Sequence, residues 1–61
     1  MAKKKILVVD DEPDITEFLS KSLRRHNYEV LTAFDGEECL EIAFKDDPDL
    51  IILDIIINPD V

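Results

Sequence analysis

Residues 6–13 have the sequence Ile6-Leu-Val-Val-Asp-Asp-Glu-Pro13. The first four are apolar and largely β-branched, and three acids and a proline follow them directly. Four apolar residues in a row before a loop signal predict a short strand buried on both faces. Proline suits the first turn of a helix, and the helix dipole favours acidic side chains there. The stretch therefore predicts a buried strand, an acidic loop and the start of a helix.

The following residues predict a helix and a second strand. Apolar residues recur at helical spacing from about Asp14 to His26, and basic residues come late in this segment, where the helix dipole favours them. Residues 28–32 then alternate in polarity as a strand does. The apolar face of this first helix is predicted to carry Ile15, Phe18, Leu19, Ser22 and Leu23.

The pattern then repeats. Asp35-Gly36 marks a turn, and a second amphipathic segment follows it and ends near Pro48. Residues 50–53 are again continuously apolar, as in a buried strand, and the apolar run resumes after Asp54 through residues 55–57. One face of the second helix is predicted to carry Cys39, Leu40, Ala43 and Phe44, and both Phe18 and Phe44 are expected in the core.

The order strand, helix, strand, helix, strand predicts an α/β unit with a parallel sheet. Parallel neighbours need crossover connections, and such crossovers are right-handed. No linker, internal repeat or low-complexity tract divides the chain. We therefore expect residues 1–61 to form one unit of three strands and two helices, a truncated domain that stops after its third strand.

Composition narrows the classes of function. The chain is 46% hydrophobic and 36% charged, and 15 acidic against 7 basic residues give a net charge of -8. Such a surface repels nucleic acids and anionic membranes and favours cations or basic partners. No apolar run approaches the roughly 20 residues of a membrane span, and the single cysteine, Cys39, cannot form an internal disulfide. We expect a cytoplasmic protein.

Three aspartates follow predicted strands: Asp10 and Asp11 follow the first strand, and Asp54 follows the apolar run of the third. Parallel strands end at one edge of a sheet, where ligands of open α/β sheets bind. Two carboxylates about 4 Å apart repel by roughly 4 kcal/mol at an effective dielectric near 20, and a bound cation relieves that repulsion. Oxygen ligands alone select a hard ion such as Mg²⁺, beside which a carboxylate can attack phosphorus.

Three segments together resemble the receiver domain of response regulators in two-component signalling. They are Ile6-Leu-Val-Val-Asp-Asp-Glu-Pro13, the Asp35-Gly36 turn and Pro48-Asp-Leu-Ile-Ile-Leu-Asp54, and the match covers nearly the whole chain in register. The resemblance implies the N-terminal half of a flavodoxin-like fold with strand order 2-1-3. It also implies a signalling module rather than an enzyme.

The resemblance assigns roles to the acids. Asp54 would be the phosphoacceptor and also a Mg²⁺ ligand, Asp11 a direct Mg²⁺ ligand, and Asp10 a ligand acting mainly through water. The backbone carbonyl of Ile56 would complete the protein's share of the metal sphere. In the family a histidine kinase donates the phosphoryl group from its own histidine, and small acyl phosphates can replace it.

The chain departs from the family pattern in two respects. Receivers are longer, and their second half supplies a hydroxyl residue and a lysine that contact the phosphate; no lysine here matches that position. Such groups stabilise the transferred charge by several kcal/mol, so we expect weak phosphorylation or none. The family also places a proline four residues after the phosphoacceptor, whereas Pro59 lies five after Asp54, which bears on the Ile56 contact.

Two other functions stay open. The third strand would be an apolar open edge, so we expect a homo-oligomer formed through it, and the chain could be an engineered or structural half-domain that self-assembles without phosphotransfer. A phosphatase of the haloacid-dehalogenase type also uses an aspartate after a strand. That family needs a second aspartate two residues on, where this chain has Ile56.

Ordinary structural roles are expected for the remaining reactive residues. His26 comes near the end of the first helix, where an imidazole suits the dipole, and a phosphodonor role is not indicated. Cys39 is expected to be a small core residue rather than a nucleophile. Lys3, Lys4 and Lys5 precede the first strand and lie at its opposite end from the acids.

Overall fold

A computed structural model describes residues 3–54, and for Asp54 it describes only the backbone. The strands are β1 (Lys5–Asp10), β2 (Glu29–Ala33) and β3 (Leu50–Asp54), and the helices are α1 (Pro13–Arg25) and α2 (Gly36–Asp46). All strand pairs are parallel, in the order β2-β1-β3. The predicted architecture and strand order are therefore confirmed. Within residues 3–54 no helix has the length and apolar content to cross a bilayer.

The central strand β1 divides the core into two layers. Leu7 and Val9 pack with residues of α2, whereas Ile6 and Val8 pack with residues of α1. Successive side chains of a strand point to opposite faces, so the two helices cover opposite faces of the sheet. This position buries β1 on both sides, as its continuous apolar run predicts.

The buried face of α1 differs from the predicted one. Thr16 and Ser20 are buried, whereas Ile15 is 42% and Phe18 71% exposed. Leu19 and Leu23 pack on the sheet as expected. Residues 16, 19, 20 and 23 follow helical spacing, so two small polar residues share the buried stripe and the prediction that Phe18 is a core residue is wrong.

The second helix shows the same kind of correction. Cys39 is buried, and Ile42 and Ala43 pack beside it, but Leu40 is 61% and Phe44 87% exposed. Residues 39, 42 and 43 lie on one stripe, and residues 40 and 44 lie about 100° further round the helix, because 3.6 residues make a turn. The core position of Cys39 is confirmed, whereas those of Leu40 and Phe44 are wrong.

Side-chain hydrogen bonds cap the start of α2. The Asp35 carboxylate accepts from the Glu38 amide at 2.8 Å, and the Glu38 carboxylate accepts from the Phe34 amide at 2.8 Å. These reciprocal bonds resemble a capping box and satisfy amides at the start of α2.

Left-handed residues follow the C-terminal ends of both helices, with φ 69° at Asn27 and 48° at Asp47. His26 lies at the C-cap of α1, where its Nδ1 lies 2.8 Å from the Ser22 carbonyl oxygen.

Candidate functional site

The strand register places two of the predicted acids at the same edge of the sheet. Asp10 and Asp54 are Cα partners at the carboxyl ends of β1 and β3, although they are far apart in the chain. The backbone therefore brings these positions together, as expected for parallel neighbours. The Asp54 side chain and the whole of Ile56 lie outside the described residues, so their predicted roles stay predictions.

Asp10 is buried and only partly satisfied. Its side chain is 2% exposed, and Oδ1 accepts from the Glu12 amide at 2.8 Å. The second carboxylate oxygen, Oδ2, is buried without a hydrogen-bond partner among the described residues. Burying such an oxygen is unfavourable unless something pairs with it, so Oδ2 is the atom of this site that most requires a ligand.

Asp11 occupies the bend that follows β1 and is exposed to solvent. It therefore offers a carboxylate to a ligand arriving from outside, next to the buried carboxylate of Asp10. Among the side chains of residues 3–53, no three metal-ligating groups come together. Asp10 and Asp11 are carboxylates that directly follow or end β1, and their oxygen ligands fit a hard divalent cation such as Mg²⁺.

The loop between β1 and α1 is fixed by the backbone of Glu12. Its amide donates to Asp10, and its carbonyl accepts from the Ile15 amide at 3.2 Å and the Thr16 amide at 3.1 Å. The Thr16 hydroxyl, Oγ1, also donates to this carbonyl, at 2.8 Å. Sequence reasoning did not single out Thr16, since only its four-residue spacing from Glu12 could have suggested the contact.

The lysines lie away from the acidic edge. The Lys5 ammonium donates to the Asp46 carbonyl at 3.1 Å, and the Lys5 amide donates to the Asp49 carboxylate at 2.7 Å. These contacts belong to the opposite end of β1, as predicted for Lys3 to Lys5. Lys21 pairs with Glu17 on the exposed side of α1 at 3.2 Å, and Lys45 lies in the last turn of α2.

Comparison with known proteins decides the family. The model of the response regulator receiver domain matches residues 6–59. The chain belongs to this receiver family. A curated relative, the alkaline phosphatase synthesis transcriptional regulatory protein PhoP of Bacillus subtilis (strain 168), is 54% identical over 54 residues, which are 88% of this chain and 22% of the relative. The matched part of the chain thus spans about a fifth of that relative's length.

Family membership gives the acidic edge a context. The chain belongs to the receiver family and is similar over 54 residues to the PhoP regulator, which supports a role in two-component signalling. The matched region includes Asp10, Asp11 and Asp54, the three acids at the strand ends. This flavodoxin-like half-domain is the fold that would position the residues for any phosphate chemistry of this chain.

Proposed function

We propose that this receiver accepts a phosphoryl group on Asp54, with Mg²⁺ held by Asp10, Asp11, Asp54 and the backbone carbonyl of Ile56. The observation that carries the proposal is the buried Oδ2 of Asp10, which has no hydrogen-bond partner within residues 3–53 and lies at the strand end whose register partner is Asp54. A carboxylate arranged in this way is poorly satisfied by protein alone. A bound cation would satisfy it and would favour ionised neighbours.

The chain's residues would divide the work as follows. One carboxylate oxygen of Asp54 attacks phosphorus and forms the new P–O bond while the donor's P–N bond breaks, and the donor imidazole keeps the bonding electrons and takes up a proton. Asp10 and Asp11 maintain the negative charge that attracts the cation. When bound, Mg²⁺ would supply charge neutralisation for the phosphoryl oxygens. The donor is a histidine kinase, or a small acyl phosphate whose P–O bond breaks instead.

The rate of this transfer is expected to be low. The lysines of residues 3–53 are placed elsewhere: three precede or begin β1, Lys21 pairs with Glu17, and Lys45 lies late in α2. None is positioned at the carboxyl end of β1 to neutralise a phosphate on Asp54. The loss of one such stabilising group lowers transfer rates by about 10²–10³.

A second function has support of its own from β3. Three of its four apolar residues are exposed, with Leu50 at 54%, Ile51 at 39% and Leu53 at 63%, whereas Ile52 packs on the core. An open apolar edge favours pairing with another chain. The alternative is a half-domain that self-assembles through this strand without phosphotransfer, and a homo-oligomer is compatible with either function.

Intact mass spectrometry tests the leading proposal. The chain is incubated with acetyl phosphate and Mg²⁺, and we expect a small population heavier by one phosphoryl group. Asp54→Asn should abolish it, and chelation of the metal should do the same. Asp49→Asn is the matched control, because Asp49 precedes β3 at the other end of the sheet and its amide form can still accept from the Lys5 amide. Modification that persists in Asp54→Asn would exclude Asp54 as the acceptor.

A further inference from the structure

We infer that Thr16 is a positioning residue for the metal site, acting through Glu12 on the carboxylate of Asp10. The Thr16 hydroxyl donates to the Glu12 carbonyl at 2.8 Å, and the Glu12 amide donates to Asp10 Oδ1 at 2.8 Å. The carbonyl group of Glu12 makes one of these bonds and its amide group makes the other. This role rests on the proposed Mg²⁺ site.

The chain of contacts determines which oxygen of Asp10 is available. Because the Glu12 amide holds Oδ1, the carboxylate cannot rotate freely, and Oδ2 is the oxygen without a partner in the described part of the chain. The Glu12 backbone is extended, with φ -100° and ψ 111°, and its side chain makes no capping bond. Its orientation therefore depends on its backbone contacts with α1, among which the Thr16 hydroxyl makes the shortest.

Burial makes the Thr16 contact effective. Thr16 is 2% exposed, so water competes little for its hydroxyl. Outer contacts of this type orient metal ligands, and their loss weakens metal binding. The hydroxyl also ties the first turn of α1 to the acidic loop, which couples the helix position to the geometry of Asp10.

Ser20 provides a matched control within the same helix. It is one turn further along the buried stripe, 3% exposed, and its hydroxyl has no hydrogen-bond partner among the described residues. Removing that hydroxyl alters the buried surface of α1 without touching the Glu12 contact. A purely structural effect of buried hydroxyls on α1 would appear in both variants, whereas positioning of Asp10 would appear only at Thr16.

The test is a Mg²⁺ titration of the whole chain, followed by the amide NMR signals of Asp11 and Glu12. We expect Thr16→Val to raise the Mg²⁺ dissociation constant about three- to tenfold, below the 10–100-fold typical of direct partners of a metal ligand. Thr16→Ser should restore wild-type affinity, and Ser20→Ala should match the wild type. Valine leaves the Glu12 carbonyl bonded to two amides, and Thr16→Ala carries the same expectation should valine prevent folding.

The outcomes separate this inference from the proposed function. A wild-type chain that binds Mg²⁺ and a Thr16→Val variant that binds it equally well would overturn the role of Thr16 alone. Equal weakening in Ser20→Ala and Thr16→Val would also overturn it, because packing of α1 would then explain the change. A wild-type chain with no saturable Mg²⁺ binding would overturn the metal site and the positioning role together.

Discussion

Asp10 and Asp54 are the last Cα partners in the register of the parallel strands β1 and β3. Within this pair, the buried Oδ2 of Asp10 has no hydrogen-bond partner among the described residues. The strand pairing thus brings the backbones of Asp10 and Asp54 together, and the Glu12 amide at the start of the loop to α1 holds the Asp10 carboxylate. The proposed site would depend on the sheet for its location and on this loop for its geometry.

Neutralising Asp10 should separate stability from metal binding. Asp10→Asn keeps an oxygen that can accept from the Glu12 amide but removes a buried charge, so we expect the metal-free variant to be at least as stable as the wild type. A ligand that binds the folded state raises the free energy of unfolding as its concentration increases. Urea unfolding with and without Mg²⁺ should therefore show stabilisation of the wild type but not of Asp10→Asn.

The control for that experiment is Asp14→Asn, an exposed acid in the first turn of α1. Its response to Mg²⁺ should equal that of the wild type, because it lies outside the proposed ligand set. Equal stabilisation of Asp10→Asn by Mg²⁺ would contradict a role for Asp10 in holding the ion.

The cap of α2 should contribute measurably to stability. Asp35→Ala removes the acceptor for the Glu38 amide, so we expect unfolding free energy to fall by about 1 kcal/mol, as for other N-cap losses. Glu37→Ala is the control, since Glu37 is exposed in the same turn and surface substitutions are usually within about 0.5 kcal/mol. Urea denaturation measures both, and equal effects would refute the capping role.

Replacing the left-handed residue after α2 should increase the stability of the protein. Asp47 has φ 48°, a conformation that glycine adopts without steric strain, so Asp47→Gly should raise the unfolding free energy by about 0.5 kcal/mol despite the greater freedom of the unfolded chain. Glu41→Gly, at an exposed position inside α2, should instead lower it by about 1 kcal/mol. Thermal unfolding compares the two signs, and a loss of stability in Asp47→Gly would contradict the backbone argument.

How much of this could be predicted from the sequence depends on the kind of feature. Element order and parallel pairing follow from apolar periodicity, and the observed bounds of α1 lie one residue from those predicted. Hydropathy identified Leu19 and Leu23 in the buried stripe of α1 but missed Thr16 and Ser20, which are polar, and wrongly assigned the apolar Phe18 to the core. Which residues a helix buries depends on its rotation against the sheet, and that is a tertiary property.

The site was predictable in part for the same reason. Asp10 continues the side-chain alternation of Ile6 and Val8, so its burial follows from the strand, whereas Asp11 is exposed in the bend. The contact from Thr16 to the Glu12 carbonyl depends on a rotamer and on the angle at which α1 leaves the loop. The four-residue spacing of Glu12 and Thr16 is compatible with that contact but does not establish it, so the contact was identified only in the structure.

The open edge of β3 leads to the last prediction, which concerns self-association. Leu53 is 63% exposed on β3 and Leu40 is 61% exposed on α2, so the two leucines differ mainly in the element that carries them. A lysine on an edge strand opposes pairing with another strand, so Leu53→Lys should reduce association, whereas Leu40→Lys should leave it unchanged. Native mass spectrometry at micromolar concentration measures both. A monomeric wild-type chain would refute association through β3, and equal losses in the two variants would indicate general apolar contact instead of strand pairing.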